Sequence, residues 1–416
     1  MRIEDLGEPQ FPPSIAAALA AVEPFAAELV LEPDPLCDQA VAETGLSHFG
    51  DESFREQLTV LTGALRDEAE LSPMGVVSAH GQLVKLLKNR LLVENLVARH
   101  PEILELPVVA PIVIAGQPRT GTTHLHNLMA ADPALRSLPY WESLEPVLPA
   151  AERADVANGT PDPRRARTEE GLVFLNEALP YFKRMHEMTV DHVHEEIQLL
   201  AIDFSTMLFE TMAVMPTWRD YYLAHDQTPT YRYLKRVLQV LQWERGGTRW
   251  VLKSPQHLEQ FAALVDVFPD ATFVVTHRDP VSVIASNATM LAYTARLSAA
   301  NPDPTVIGRY WSERIQQMLE AGTRDRAVLP SERSLDVRFH EFMADDIATV
   351  RRIYDVADQP FGTDVEAAMT QFIAGHPRGR HGGVRYDLDG DFGIDPVERR
   401  AAMREYVARF GVEEER

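Results

Sequence analysis

Eight consecutive residues, Gly116-Gln117-Pro118-Arg119-Thr120-Gly121-Thr122-Thr123, have the spacing G-x4-G-x-[ST] of a loop that wraps around a phosphate-like anion. Glycine lets the backbone approach the anion closely, and successive N–H groups with the start of a following helix supply partial positive charge. The side chains of Thr122 and Thr123 add hydroxyl donors at the helix start. Where nucleoside triphosphatases carry a lysine after the second glycine, this chain has Thr122, and its cation lies inside the loop at Arg119. Such a loop is poorly equipped to hold a γ-phosphate with magnesium. A second anion site is expected at His277-Arg278-Asp279-Pro280, with Ser286 eight residues beyond Arg278. An arginine at a strand's end offers a bidentate fork to phosphate, and a serine in the next helix adds a neutral donor.

The two motifs together resemble those of sulfotransferases that use 3′-phosphoadenosine 5′-phosphosulfate (PAPS). Pro118-Arg119-Thr120-Gly121-Thr122-Thr123 looks like the family's 5′-phosphosulfate loop, in the arginine form of tyrosylprotein-type and many bacterial members. The resemblance implies that Gly116, Pro118, Arg119, Thr120, Gly121, Thr122 and Thr123 hold the 5′ end of PAPS and that Arg278 and Ser286 clamp its 3′-phosphate. It spans residues 107–290, and 334–390 more weakly. In that weaker stretch Arg378-Gly379-Arg380-His381-Gly382-Gly383-Val384-Arg385 is similar to the basic glycine-containing loop that closes over the 3′-phosphate, which brings in Arg380. Phe339 falls where relatives place an aromatic near adenine.

Sulfuryl transfer moves SO3 in line from a phosphate to an acceptor oxygen, so the protein mainly positions groups and neutralises charge. Arg119 is one cation for this task. Lys253, in Trp250-Val251-Leu252-Lys253-Ser254-Pro255, is the expected second, at the rim end of a strand. The acceptor hydroxyl must lose a proton, which calls for a carboxylate or histidine. Two candidates stand open: Glu142 in Pro139-Tyr140-Trp141-Glu142, and His194 in His192-Val193-His194-Glu195-Glu196. Glu195 and Glu196 otherwise read as acids serving a helix dipole. The histidines lack H-x-x-x-H or H-E-x-x-H spacing, so no metal is expected.

The elements that must position these residues alternate. Val108–Ala115, Arg249–Leu252, Ala271–Thr276 and, more weakly, Leu335–Phe339 read as buried strands. Helical periodicity appears at 125–131, at Ile197, Leu200, Ala201, Phe204, Met207 and Leu208, then at 234–241 and 307–318. This predicts an α/β fold: a P-loop-type parallel sheet with helices on both faces. Ligands of such sheets bind at the carboxyl ends of the strands, where both motifs lie. Residues 1–106 read as a helical N-terminal region, and 107–416 as the sulfotransferase-like α/β domain. An apolar face at Phe204, Met207, Leu208, Met212 and Met215 either lines a lipophilic pocket or, the commoner use, packs into the core.

The 416 residues carry 62 acidic and 40 basic side chains, a net charge of −22. This balance argues against nucleic acid or an anionic membrane as partner, but not against a small anion held by a local cluster of donors. The single cysteine, Cys37, excludes an intramolecular disulfide framework. With no signal-like start and no long apolar run, a cytoplasmic protein is expected. The leading expectation is transfer of a sulfuryl group from PAPS, without a metal, to a small-molecule hydroxyl, with homo-oligomerisation left open. The alternatives are a P-loop kinase or NTPase, which the missing lysine disfavours, and a non-catalytic nucleotide-binding protein.

Overall fold

The computed structural model describes residues 1–415. Its centre is a four-stranded parallel sheet of β1 (Ile112–Gly116), β2 (Val251–Ser254), β3 (Thr272–His277) and β4 (Ser334–Arg338), in the order β2-β1-β3-β4. Ile112 pairs with Val251 on one side and Thr272 on the other, and Phe273 pairs with Ser334. Side chains alternate across a strand, and both sets are buried here. Val113, Leu252 and Phe273 enter one apolar cluster, while Ile114, Val251 and Val274 enter another on the opposite face. The parallel sheet covered on both faces is therefore the fold anticipated from the alternating pattern.

The strand ends differ from the sequence pattern for local reasons. β1 begins only after Pro111, which has no N–H to give a ladder, and Ala110 before it has φ 39°. β2 runs to Ser254, so Lys253 lies inside the strand, opposite Ile114. The periodicity from Ile197 does not form one helix. An α-turn at Ile197–Leu200 passes into a 3-10 turn at Ala201–Asp203, Phe204 adopts φ 56°, and a second 3-10 turn spans Met207–Thr211. Side-chain hydrogen bonds interrupt the helix: Ser205 donates to Gln227 at 2.9 Å and Thr206 to Gln256 at 2.6 Å.

Five helices frame the sheet: α1 (Pro73–Arg99), α2 (Thr122–Met129), α3 (Thr228–Arg245), α4 (Pro280–Ser298) and α5 (Pro304–Asp325). Ser72 caps α1 by accepting from the Gly75 N–H at 3.0 Å, and Pro73 follows at the first helical position. Leu83, Leu87 and Leu91 of α1 share the core cluster of Val113 and Phe273, so apolar packing continues across residue 106. Buried Arg90 adds a polar tie, donating to Asp203 at 2.8 Å. Asp279 and Asp303 cap α4 and α5, each accepting from a backbone N–H of the first turn. Among the described residues, no helix is long and apolar enough to cross a membrane.

Candidate active site

The Gly116–Thr123 loop leaves the carboxyl end of β1 and leads into α2. Gly116 is pinned against β3: a Cβ there would stand 1.8 Å from Thr276 Oγ1. The same hydroxyl meets Thr120 Oγ1 at 2.8 Å, and Thr120 also bonds the Gln117 carbonyl at 2.7 Å. Gly121, at φ 82°, turns the chain so that the N–H groups of Thr122 and Thr123 open the helix. Arg119 has φ 69°, a conformation a non-glycine residue adopts at a cost of about 1–3 kcal/mol. Its surroundings hold it there. Nε donates to Ser286 Oγ at 2.9 Å, and Nη1 donates to the Met185 carbonyl.

The two anion motifs interlock. Arg278 Nη1 donates to the Arg119 carbonyl at 2.6 Å, while Ser286, on α4, receives Arg119 Nε. The Arg278 guanidinium lies 4.0 Å from the centroid of the Phe339 ring. Its remaining donors engage the Glu415 carboxylate, and Asp279 accepts the Glu415 N–H at 2.8 Å. Burial lowers the pKa of Arg119 from the usual arginine range, with Tyr386 opposing and Arg278 reinforcing that shift.

Lys253 reaches the same place from β2. Its Nζ pairs with Glu195 and lies 3.5 Å from Thr123 Oγ1. Glu196, the next residue, points the other way. It accepts the Lys253 backbone N–H at 2.8 Å and pairs with His257, which in turn meets the Tyr231 hydroxyl at 2.8 Å. The consecutive acids thus grip one lysine by side chain and by backbone. Reading them only as helix-dipole partners misses this, and the nearby lysine on a buried strand is the signal that points to it.

The two base candidates part company. Glu142 is 1% exposed and lies between Arg136 at 2.7 Å and Arg245 at 2.9 Å, lining neither cavity described below. His194 lines the cavity that Lys253 faces, and its buried Nδ1 has no hydrogen-bond partner. Its ring stands 4.6 Å from Tyr140 and 5.7 Å from His192, which is 5.3 Å from His186. All three histidines are held neutral. Burial drives His186 and His194 well below their usual pKa, and burial with Lys253 takes His192 down to about 4.

Two cavities meet at the loop. One, of about 670 Å³, is lined by Arg119, Lys183, Arg184, Arg378 and Arg380 against the acids Glu187 and Asp191, an excess of positive charge in an acidic chain. Arg380 pairs there with Glu187 at 2.6 Å. The other, of about 310 Å³, joins His194, Glu195 and Lys253 to apolar walls that include Phe182, Met207, Leu208 and Trp311. Asn287 also lines it, with a buried Nδ2 that lacks a partner. Arg119, Thr123 and His186 line both cavities and so mark where they touch.

Comparison with known proteins identifies the family of the chain. A sequence profile of the sulfotransferase family matches residues 111–363, more than half of the chain. The omega-hydroxy-beta-dihydromenaquinone-9 sulfotransferase Stf3 of Mycobacterium bovis is 25% identical over 262 residues, covering 59% of this chain and 61% of Stf3. The chain thus aligns with less than two thirds of that relative's length. The crystal structure of sulfotransferase STF9 from Mycobacterium avium superimposes with TM-score 0.82 at 29% identity, covering 93% of this chain and 98% of STF9. Sulfotransferase STF1 from Mycobacterium tuberculosis H37Rv gives TM-score 0.77 at 29% identity, covering 89% and 98%. With the family profile spanning the sheet and both anion motifs, the chain belongs to the sulfotransferase family.

Proposed function

We propose that the chain transfers a sulfuryl group from PAPS to the hydroxyl of a small-molecule acceptor. The observation that carries the reading is the junction at Arg119, Thr123 and His186, where a strongly basic cavity touches a largely apolar one. The basic cavity suits a polyanionic nucleotide, and its fit to PAPS rests on the loop amides, Arg119 and the neighbouring Arg278–Ser286 pair. The absence of a lysine at Thr122 weighs against a triphosphate with magnesium.

PAPS supplies an activated sulfuryl group: the new bond joins its sulfur to the acceptor oxygen, and the bond from sulfur to the bridging phosphate oxygen breaks. The chain's own residues do the rest. Arg119 and Lys253 offset the charge that gathers on the bridging and peripheral oxygens. Glu195 and Glu196 are positioning residues that fix the lysine's head and strand. His194 takes the acceptor proton on its unpartnered Nδ1. Low basicity in the free protein does not oppose this role, because an incoming polyanion raises the pKa of every nearby histidine. Asn287 Nδ2 orients the acceptor's oxygen.

Thermal-shift titration tests the assignment. Adenosine 3′,5′-bisphosphate is expected to raise the melting temperature and magnesium-ATP to do so far less. The reverse order would favour the NTPase reading, and turnover of PAPS with any alcohol would remove the non-catalytic one.

A further inference from the structure

A third cavity, of about 640 Å³, adjoins the chamber that His194 and Lys253 face, and Thr211, Leu291 and Trp311 line both. Its walls are mostly apolar: Met212, Val214 and Ile307 contribute, with Ala295 in the last turn of α4 and Ala299, in extended backbone, just beyond it. Resting on the sulfotransferase reading, we infer that this cavity seats the apolar chain of an elongated acceptor whose hydroxyl lies at His194.

Polarity fixes the direction of the bound molecule. His194, Glu195, Gln198 and Asn287 line only the smaller chamber, so the acceptor's polar end belongs there. Beyond Trp311, the lining contains no lysine, arginine or histidine among the described residues; Glu68, Glu70 and Asp303 edge it, and buried Glu210, the fourth acid of the lining, is held by Arg314 at 2.9 Å and by the Tyr310 hydroxyl at 2.8 Å. The Glu68 and Asp303 carboxylates already accept backbone N–H bonds, from Thr217 at 3.1 Å and Thr305 at 2.8 Å. An alkyl or polyprenyl-like tail fits such a cavity, and a tail ending in a carboxylate is repelled by it. The smaller chamber alone holds only a compact alcohol. The broken helix at Phe204 matters here, because the 3-10 turn after it carries Met207 and Leu208 into the first chamber, and the adjoining Met212 lines the second.

Calorimetric titration of 1-hexanol, 1-octanol, 1-decanol and 1-dodecanol into the full chain, with and without adenosine 3′,5′-bisphosphate, tests this inference. Affinity is expected to rise roughly fourfold per methylene along the series. Ala295→Trp, which fills the second cavity, should halt that rise after the short members. Val306→Asp, at an exposed position on the cavity wall that carries little folding risk, should weaken the long members selectively. 12-Hydroxydodecanoate should bind at least about tenfold more weakly than 1-dodecanol. A wild-type series that levels off at the short alcohols, or variants that leave the series unchanged, would overturn the assignment of this cavity. Failure of the sulfotransferase reading would register elsewhere, as equal binding of adenosine 3′,5′-bisphosphate and AMP, while the nucleotide-free alcohol series still reports on the cavity.

Discussion

Arg278 grips Glu415 through two parallel hydrogen bonds, Nε to Oε1 at 2.6 Å and Nη2 to Oε2 at 2.7 Å. A carboxylate therefore occupies the fork that the proposed function assigns to a 3′-phosphate. The pair is partly exposed, so its worth is about 1 kcal/mol. Glu415→Gln should tighten adenosine 3′,5′-bisphosphate roughly fivefold by removing the competitor. AMP, with no 3′-phosphate, should bind the variant and the wild type alike. Equal gains for both nucleotides would place the 3′-phosphate elsewhere.

The complementary experiment removes the fork. Charge-assisted hydrogen bonds contribute about 1.5–3 kcal/mol each, so the wild type should prefer adenosine 3′,5′-bisphosphate to AMP by roughly 10- to 150-fold. Arg278→Ala should erase most of that preference in calorimetry. Ser286→Ala should erase less, since a neutral donor forms a weaker bond. It also frees Arg119 Nε, so a modest loss of AMP affinity is expected in that variant.

Turnover should depend on the two cations more than binding does. Arg119→Ala and Lys253→Ala are each expected to lower kcat by about 10- to 1000-fold, the usual cost of a lost transition-state donor, with smaller changes in nucleotide affinity. Glu195→Gln should produce a weaker version of the lysine phenotype, because it releases Nζ without removing it. A Lys253→Ala enzyme with wild-type kcat would take that residue out of the chemistry.

How much of this the sequence discloses depends on how local each feature is. The Gly116–Thr123 loop and the Arg278–Ser286 spacing are written within short stretches, and the strands around them are continuous apolar runs, so loop, motif and parallel sheet are all legible. The contacts between motifs are not. Arg119 and Ser286 are 167 residues apart, and nothing in either segment signals their hydrogen bond. The same limit explains the two open base candidates. Glu142 and His194 both stand as candidates in isolation, whereas the environment of Glu142 is fixed by Arg245, 103 residues away. The apolar periodicity after Ile197 is genuine burial, but burial alone does not report that Phe204 interrupts the helix.

That difference in environment gives opposite phenotypes for the two base candidates. His194→Ala should abolish most turnover in a protein that keeps its circular dichroism spectrum and its affinity for adenosine 3′,5′-bisphosphate. Glu142→Ala should leave kcat within a few-fold yet cost about 3 kcal/mol of stability, because it strands Arg136, whose side chain is 9% exposed, without its carboxylate. Urea denaturation measures the second effect. Loss of turnover in Glu142→Ala with unchanged stability would return the proton transfer to that residue.

The neutral histidines around Lys253 make stability fall in mild acid. His192 is held at about 4 and His126 at about 3, with His186 and His194 also well below their ordinary value, in each case first through burial. In the unfolded chain all four titrate near about 6.5, so between that pH and their folded values the unfolded state binds more protons. Their contribution is complete above about pH 6.5 and declines as the pH drops, at about 1.4 kcal/mol per pH unit for each proton taken up. Carboxylates enter later. Asp336, which burial raises but His277 and Arg326 together bring down to about 2, loses its contribution only below about pH 4. The urea midpoint should therefore fall steadily from pH 7 to 5, and His126→Gln should reduce the slope by about one proton. Saturating adenosine 3′,5′-bisphosphate should flatten the slope further, because its negative charge offsets Lys253 and raises the folded-state pKa values toward those of the unfolded chain. A midpoint unchanged between pH 7 and 5 in the free protein would mean that these histidines are hydrated and do not make folding pH-dependent.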